Sequence, residues 1–334
     1  MGIELTDVDE GVHAPHDEIN WNESRYIDFW DPSRRTGGWF RIGMRPNAEY
    51  AEMSACVFLP DGRVAFAFDR SPVEGNGLTA GGQSWAVTEP WRSARVGFSG
   101  RMSLFDDPWV LTDPKRAFRE SPSVEAEIDL AIAVEGLAAT MGQDQDQHHL
   151  IFLPGQADFH YQHLAHVVGT IRLGGVEYAV DGRGGKDHSW GPRNWHAKRW
   201  LRWLIGAVDD DNGFMLTRAV GPTKQTRSGF VWVDREFRVV DGYAMQNQYA
   251  GAPHFELVRT EVEIHAGDVH WTVTGTPQNA LPLRHRQPDA SGREAVLRIV
   301  KYPSEWAFAD GRVGTGHLEF HDLMVDGVPV GLHD

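Results

Sequence analysis

The chain has 334 residues, of which 41% are hydrophobic and 24% are charged, and its formal net charge is −15. This length and composition are those of a globular protein with one large or two ordinary cores, which argues against intrinsic disorder. The acidic balance argues against nucleic acid as a partner, because phosphate binding needs a large basic surface.

Two features bear on the compartment. No apolar run approaches the roughly 18 residues that a membrane-spanning helix needs, and the first 20 residues hold six acidic residues and no Lys or Arg, unlike a secretory signal. Cys56 is the single cysteine, so no disulfide can form within the chain. We therefore expect a cytoplasmic protein without an integral membrane segment.

Alternating apolar and polar residues predict β-strands along most of the chain. Glycine-bearing turns separate pairs of these runs, as they do in β-hairpins. In chain order, the pattern predicts a hairpin at 53–68, a short helix at 113–119, a long strand at 124–134 and hairpins at 163–180, 201–220 and 262–273.

These elements predict an all-β protein of long antiparallel strands, either sandwiches or closed barrels. Because 334 residues exceed what one closed barrel usually uses, we expect two domains, 1–191 and 192–334. This boundary places a basic, tryptophan-rich segment, 184–203, at the junction. Clefts between domains are favoured sites for ligands.

Segment 184–203 carries five basic side chains, one acid and four of the 13 tryptophans of the chain. Common motifs do not explain it. The stretch around Gly182 to Lys186 does not form a P-loop motif, because Val180 stands where that motif has Gly and Asp187 stands where it has Ser or Thr. Dinucleotide-binding and nucleophile-elbow signatures are also missing from the sequence.

A group of histidines at 148–166 raises the question of a metal site. In an extended strand, His163 and His166 face opposite sides and cannot converge on one ion. We therefore expect no metal and no cofactor, and leave open whether these residues line a pocket. The five residues are His148, His149, His160, His163 and His166.

Residues 186–193, Lys-Asp-His-Ser-Trp-Gly-Pro-Arg, resemble the signature of the carotenoid 1,2-hydratase and tocopherol-cyclase-like superfamily, the AttH-like proteins. Residues 314–320 resemble the strand that closes such chains. The resemblance implies two antiparallel lipocalin-like β-barrel or sandwich domains in tandem, a large apolar pocket and chemistry on bulky hydrophobic substrates without an organic cofactor. The Tyr-x-Asp pair of carotenoid hydratases is missing at 213–218, which argues against carotenoid hydration itself.

The resemblance carries the His-x-Trp pair of the superfamily onto His188 and Trp190. In an extended segment these two side chains share one face, while Asp187 and Ser189 share the other. Imidazole is the usual proton carrier near pH 7, so we expect His188 to transfer protons in the pocket. The alternatives are a buried structural histidine at 188 and an Asp187 that only pairs with Arg193 or caps a turn.

The other candidates divide into cations and aromatic rings. Arg193 and Lys186, together with Asp187, complete the predicted catalytic group, because cations in a dry site stabilise a phenolate, an enolate or a leaving oxygen. The predicted substrate-binding residues are aromatic, because ring faces line pockets and stabilise developing cations; alternatively they belong to the core. They are Trp190, Trp195, Trp203 and Tyr161.

The leading functional hypothesis is a cofactor-independent acid/base lyase. It would act on a bulky apolar terpenoid or an aromatic compound such as a phenylpropanoid dimer, adding or eliminating water or another small group such as formaldehyde. A phenolate can expel a leaving group from a side-chain carbon to form a quinone methide without a cofactor. The alternatives are a non-catalytic lipocalin-like carrier of a hydrophobic ligand and an isomerase or cyclase. The expected partner is a small hydrophobic or aromatic molecule, and a homodimer is left open.

Overall fold

The computed structural model describes residues 5–73, 78–142, 149–151, 153–234, 236–288 and 292–333, without the side chains of 135–137. Strands make up 66% of the described residues and helices 7%. The all-β prediction is therefore confirmed. In the described ranges, every helix is too short or too polar to cross a membrane.

The first half of the chain forms one antiparallel sheet, called sheet I. Its strands are β1 (Trp21–Asp31), β2 (Thr36–Arg45), β3 (Tyr50–Phe58), β4 (Val64–Pro72), β5 (Thr79–Ala80), β6 (Gln83–Glu89), β7 (Ser93–Phe105), β8 (Ser123–Gly142), β9 (Leu150–Ile151), β10 (Phe159–Leu173) and β11 (Val176–Pro192). The strand order is β5-β6-β7-β4-β3-β2-β1-β11-β10-β8-β9, and β7 also pairs with β8. The pairing of β7 with β8 closes eight of the strands into a ring. Of the strand pairs described in sheet I, β8 and β9 are parallel and the others are antiparallel.

The second half forms a further antiparallel sheet, sheet II. Its strands are β12 (Trp200–Ala207), β13 (Gly213–Val220), β14 (Gln225–Val233), β15 (Glu236–Val239), β16 (Gly242–Tyr249), β17 (Leu257–Ala266), β18 (Val269–Pro277), β19 (Leu281–Pro288), β20 (Glu294–Phe308), β21 (Val313–Val325) and β22 (Val328–Pro329). The order is β15-β14-β13-β12-β21-β20-β18-β17-β16, with β19 on β20 and β22 on β21.

Helical segments are short and lie in connections. The α-helix α1 (Pro114–Glu120) follows the 3₁₀ segment Pro108–Thr112, and its N-cap Asp113 accepts a hydrogen bond from the backbone of Arg116. Further 3₁₀ segments are Asp7–Glu10, Pro46–Ala48 and Trp195–Ala197. The helix predicted at 113–119 and the four predicted hairpins are thus found, the latter as β3–β4, β10–β11, β12–β13 and β17–β18.

The two faces of β1 contribute to different cores. Ile27 and Phe29 point into the closed ring of sheet I, where they pack with residues of β2, β3 and β10. Tyr26 and Trp30 point outward and share a core with Leu201 and other residues of sheet II. The outer face of sheet I therefore packs on sheet II, as period-2 alternation allows.

The predicted domain boundary falls at the end of sheet I. Its last strand, β11, ends at Pro192, and sheet II begins at Trp200. Whether 1–191 and 192–334 are separate domains remains a prediction.

Candidate active site

A cavity of about 730 Å³ lies between the outer face of sheet I and sheet II. Its volume falls within the usual range for small-molecule sites. Aromatic side chains from both sheets, from α1 and from the 3₁₀ segment Trp195–Ala197 line it, namely Tyr26, Trp39, Phe66, Phe68, Phe118, Trp195 and Trp203. Exposed lining residues such as Phe68, Phe118 and Arg286 mark where it reaches solvent.

Sheet I supplies one wall through side chains that are neighbours across its strands. Such cross-strand pairs share a face of the sheet, so alternation brings a whole row to the cavity. The row crosses six strands in the order Phe68, Ser54, Arg41, Tyr26, Asp187 and Gln162, and all six line the cavity.

Sheet II supplies the facing wall in the same way. One row holds buried charges and an indole in the order Thr217, Trp203, Glu319 and Lys301. The next row holds Leu201, His321, Ile299 and Leu283. Charged groups thus converge from both sheets on a cavity that aromatic side chains also line.

Asp187 is the acidic group that sheet I presents to the cavity. It is 8% exposed, and its Oδ2 lies 3.4 Å from Nε2 of His160, which also lines the cavity. Its neighbour on the same face, Ser189, accepts a hydrogen bond of 2.7 Å from Nη2 of Arg193. Against the larger opposing effect of burial, the charge of Asp187 acts to raise the pKa of Arg193.

Three cations surround the ring of Trp195. Arg41, Arg193 and Lys198 lie 5.4, 5.3 and 5.2 Å from its centroid, and His285 stacks on it at 4.7 Å. Burial, reinforced by Arg41, lowers the pKa of Arg193 to about 9. The indole face offsets part of the cost of placing like charges together.

A second charged group lies on the wall from sheet II. Lys301 contacts Glu319 and donates a 3.1 Å hydrogen bond to the hydroxyl of Tyr26. Glu319 also contacts His321. Burial alone would raise the pKa of Glu319, but Lys301 and then His321 hold it well below its usual value. The carboxylate is therefore charged and fully paired.

Tyr26 and the neighbouring Asp28 remain protonated. Burial, then the charges of Asp28 and Glu319, raise the pKa of Tyr26 well above its usual value. Burial also raises the pKa of Asp28 to about 8, against the opposing effect of Lys301. The Tyr26 hydroxyl therefore keeps its proton and remains able to donate a hydrogen bond.

The structure divides the eight predicted site residues into two groups. Those that line the cavity are Asp187, Arg193, Trp195 and Trp203. The others face the inside of sheet I and are Lys186, His188, Trp190 and Tyr161. Across the strands, each of them is the neighbour of an inward-facing residue of β1 or of another member of this group. These four residues are not among those that line the cavity, because alternation in β11 turns Asp187 and Ser189, rather than His188 and Trp190, toward sheet II. Their predicted roles in a functional site remain predictions.

His188 belongs to a buried polar cluster closed by the N-terminal segment. Its Nε2 contacts Glu23, and its Nδ1 lies 3.0 Å from the Tyr161 hydroxyl. That hydroxyl donates to Glu10, which also accepts a 2.7 Å hydrogen bond from Lys186. Burial, and then the charge of Arg25, lower the pKa of His188 to about 4. Its role in catalysis remains a prediction.

Within the described ranges, one group of side chains could hold a metal ion. His13, Glu23 and His188 each place one donor atom within 4.8 Å of the others. Two imidazoles and a carboxylate suit Zn²⁺ or Fe²⁺. His13 stacks on Trp190 at 3.7 Å, so this triad also fixes the N-terminal segment. The sequence analysis did not single out His13 or Glu23.

The histidines at 149–166 do not share a site. His160 lines the cavity, His163 is buried against Lys186 on the inner face, and His166 lies 2.7 Å from Asp181 at the surface. His149 contacts Thr140. His148 lies outside the described residues.

Sequence reasoning missed several charged groups of the cavity. Lys198 belongs to segment 184–203 and Glu319 to 314–320, so both lay in stretches already marked as unusual. Tyr26, Arg41 and Lys301 lie on ordinary alternating strands. Nothing local distinguishes them, because cross-strand pairing brings them together.

Comparison with known proteins concerns the fold and the family. A candidate AttH protein from Nitrosomonas europaea has a TM-score of 0.59 and 14% identity over 96% of both chains. CghA, solved with Sch210972, has a TM-score of 0.55 and 13% identity over 92% of this chain and 89% of its own. Kievitone hydratase from Nectria haematococca has a TM-score of 0.52 and 10% identity, over 92% and 88%.

These similarities support the resemblance to AttH-like proteins at the level of the fold. Comparison with curated protein sequences gives no significant match. A family model described as a domain of unknown function, DUF7064, matches residues 6–324. Because this match covers nearly the whole chain, the protein belongs to the DUF7064 family.

Proposed function

We propose that this protein is an acid/base lyase that adds water to, or eliminates water or another small group such as formaldehyde from, a bulky apolar or aromatic compound. The observation that carries the proposal is the Asp187–His160 pair, which opens on an aromatic cavity together with buried cations. The structural likeness to kievitone hydratase, a hydratase by name, is consistent with it.

Proton transfer is assigned to Asp187 and His160. The carboxylate accepts a proton from a substrate hydroxyl or an attacking water, and the imidazole 3.4 Å away passes it on. In the elimination direction, the same pair returns a proton to the leaving oxygen. Burial of Asp187 strengthens its interaction with a bound substrate, because the local dielectric is low.

Charge stabilisation is assigned to Arg193, with Arg41 beside it. Both guanidinium groups lie near the Trp195 ring and line the cavity. A phenolate or enolate formed on the substrate would be stabilised by these partly buried cations. Trp195 and Trp203 would pack on the apolar body of the substrate.

The test uses an Asp187→Asn variant, which keeps the size of the side chain but removes its basicity. Wild type and variant are incubated with hydroxylated phenylpropanoid dimers and terpenoid alkenes, and products are detected by mass spectrometry. We expect turnover to fall by roughly 10²- to 10⁴-fold in Asp187→Asn, with ligand binding, measured by tryptophan fluorescence, retained.

The matched control is Asp181→Asn. Asp181 lies on the same strand and pairs with His166 as Asp187 pairs with His160, but it is exposed and outside the cavity. This variant should keep wild-type turnover. A compound that binds in the cavity but is left unchanged by the wild-type protein would instead indicate a carrier.

A further inference from the structure

Lys198 differs from the other lysines of the chain. The five lysines are Lys115, Lys186, Lys198, Lys224 and Lys301. Lys115 and Lys224 are exposed, whereas Lys186 and Lys301 are buried in ion pairs with Glu10 and Glu319. Lys198 is 4% exposed, and in the described part of the chain no carboxylate lies within ion-pair distance of its amine.

A buried amine without a counter-ion is costly, so its presence in a cavity points to chemistry. Lys198 lines the large cavity, with its amine 5.2 Å from the Trp195 ring centroid. Burial, then the charge of Arg193, lower its pKa to about 7, against a smaller opposing effect of Glu319. A substantial fraction of Lys198 is therefore an uncharged, nucleophilic amine at neutral pH.

We propose that Lys198 is the nucleophile of a carbonyl-binding site, which forms a Schiff base with an aldehyde or ketone whose apolar or aromatic body fills the cavity. The cavity provides the space, Trp195 and Trp203 provide the apolar surface, and the unpaired amine provides the reactive atom. This site does not depend on the hydration or elimination proposed above.

The chemistry needs no partner besides the carbonyl compound. The lone pair of Nζ attacks the carbonyl carbon and forms a C–N bond, while the C=O π electrons move to oxygen and one proton is transferred from the nitrogen to that oxygen. The resulting carbinolamine loses its hydroxyl group and one proton from nitrogen as water, which leaves a C=N bond. One amine and one carbonyl thus give one imine and one water, without oxidation or reduction.

The test is reductive trapping on the full-length protein. The protein is incubated at pH 7 with cinnamaldehyde, sodium borohydride is added, and the modified lysines are identified by peptide mass spectrometry. We expect Lys198 to be modified at least about 10-fold faster than the exposed Lys115 and Lys224, because its lowered pKa leaves part of its amine uncharged at pH 7. Lys301 lines the same cavity but is paired with Glu319, so it should stay unmodified.

Two variants complete the experiment. Lys198→Arg keeps a cation beside Trp195 and should lose the cavity label, while Lys224→Arg should label as wild type does. Quenching of tryptophan fluorescence by cinnamaldehyde verifies that the aldehyde enters the cavity of each variant. Quenching without a label on Lys198, or equal labelling of all lysines, would overturn the proposal. Either result would leave the Asp187 experiment unaffected.

Discussion

His188 is held at both ring nitrogens by residues on the inner side of sheet I. Glu23 contacts Nε2, and the hydroxyl of Tyr161 lies 3.0 Å from Nδ1. The ring is completely buried, and its pKa of about 4 keeps it neutral near pH 7. These contacts favour a histidine that joins β1, β10 and β11 over one that exchanges protons with a ligand in the cavity.

We therefore expect His188→Gln to act mainly on stability. Glutamine cannot reproduce both contacts, so a buried polar group is left unpaired, at a cost of about 1–3 kcal/mol. The melting temperature should fall, while quenching of cavity tryptophans by a bound ligand persists. His166→Gln, at a partly exposed position paired with Asp181, is the control and should melt as wild type does. An unchanged melting temperature with lost turnover would restore His188 as the proton carrier.

The sequence specified which side chains of β11 share a face but not which face meets the cavity. Alternation separates Asp187 and Ser189 from His188 and Trp190 for any extended strand. Which of the two faces meets the cavity depends on where sheet II packs. That packing results from contacts of Tyr26 and other outward-facing residues of sheet I with residues of sheet II that are distant in the sequence. No local pattern contains that information.

At the scale of the elements, the glycines of β11 allow a close approach to β1. A Cβ atom on Gly184 would lie 2.2 Å from the carbonyl oxygen of Asp28, and one on Gly182 would lie 2.8 Å from the carbonyl of Trp30. The run Gly182 to Gly185 thus serves strand packing, in agreement with its poor match to a phosphate-binding loop.

Gly184→Ala should therefore destabilise the protein. The added methyl group meets rigid backbone, so β1 and β11 must move apart, which costs about 1–3 kcal/mol, as overpacking does. The control is Gly242→Ala in β16, where an added Cβ has no heavy atom within 4 Å. Urea unfolding of both variants measures the difference, and equal unfolding free energies would contradict the close approach.

Hairpins were predictable because their information is local. The turns at 60–62 and 174–175 fix the pairing of β3 with β4 and of β10 with β11. The pairing of β1 with β11, which joins Trp21 to Pro192, has no such signal, and neither has the closure of sheet I by β7 and β8. Long-range packing determines both.

At the scale of the whole molecule, a chain of net charge −15 has buried cations and many buried neutral histidines. Burial lowers the pKa of His188 and His285 to about 4 and that of His321 to about 3. Burial lowers the pKa of further histidines too, namely His149, His163, His196 and His317. Each of these rings is more easily protonated in the unfolded chain than in the folded protein.

Stability should therefore fall as the pH drops from 6.5 toward 4. In this window the unfolded state binds more protons at these histidines, so the free energy of unfolding rises with pH, by up to about 1.4 kcal/mol per pH unit for each strongly shifted ring. Asp28 acts in the opposite direction, because its pKa is raised to about 8, and so do Asp158, Glu256 and Asp322, whose pKa values are also raised. We expect the seven histidines with lowered pKa values to outweigh these four carboxyl groups.

Urea unfolding at pH 6.5, 5.5 and 4.5 measures this dependence. The paired carboxylates Glu10, Glu23 and Glu319 have lowered pKa values, so they lose their contribution only below their ordinary value of 4.5, at the lower limit of the window. His188→Gln removes one titrating ring, so its slope should be shallower than that of wild type by up to about 1.4 kcal/mol per pH unit. A stability that stays constant or increases on acidification would contradict this expectation, and equal slopes for wild type and His188→Gln would mean that His188 does not titrate differently in the folded and unfolded states.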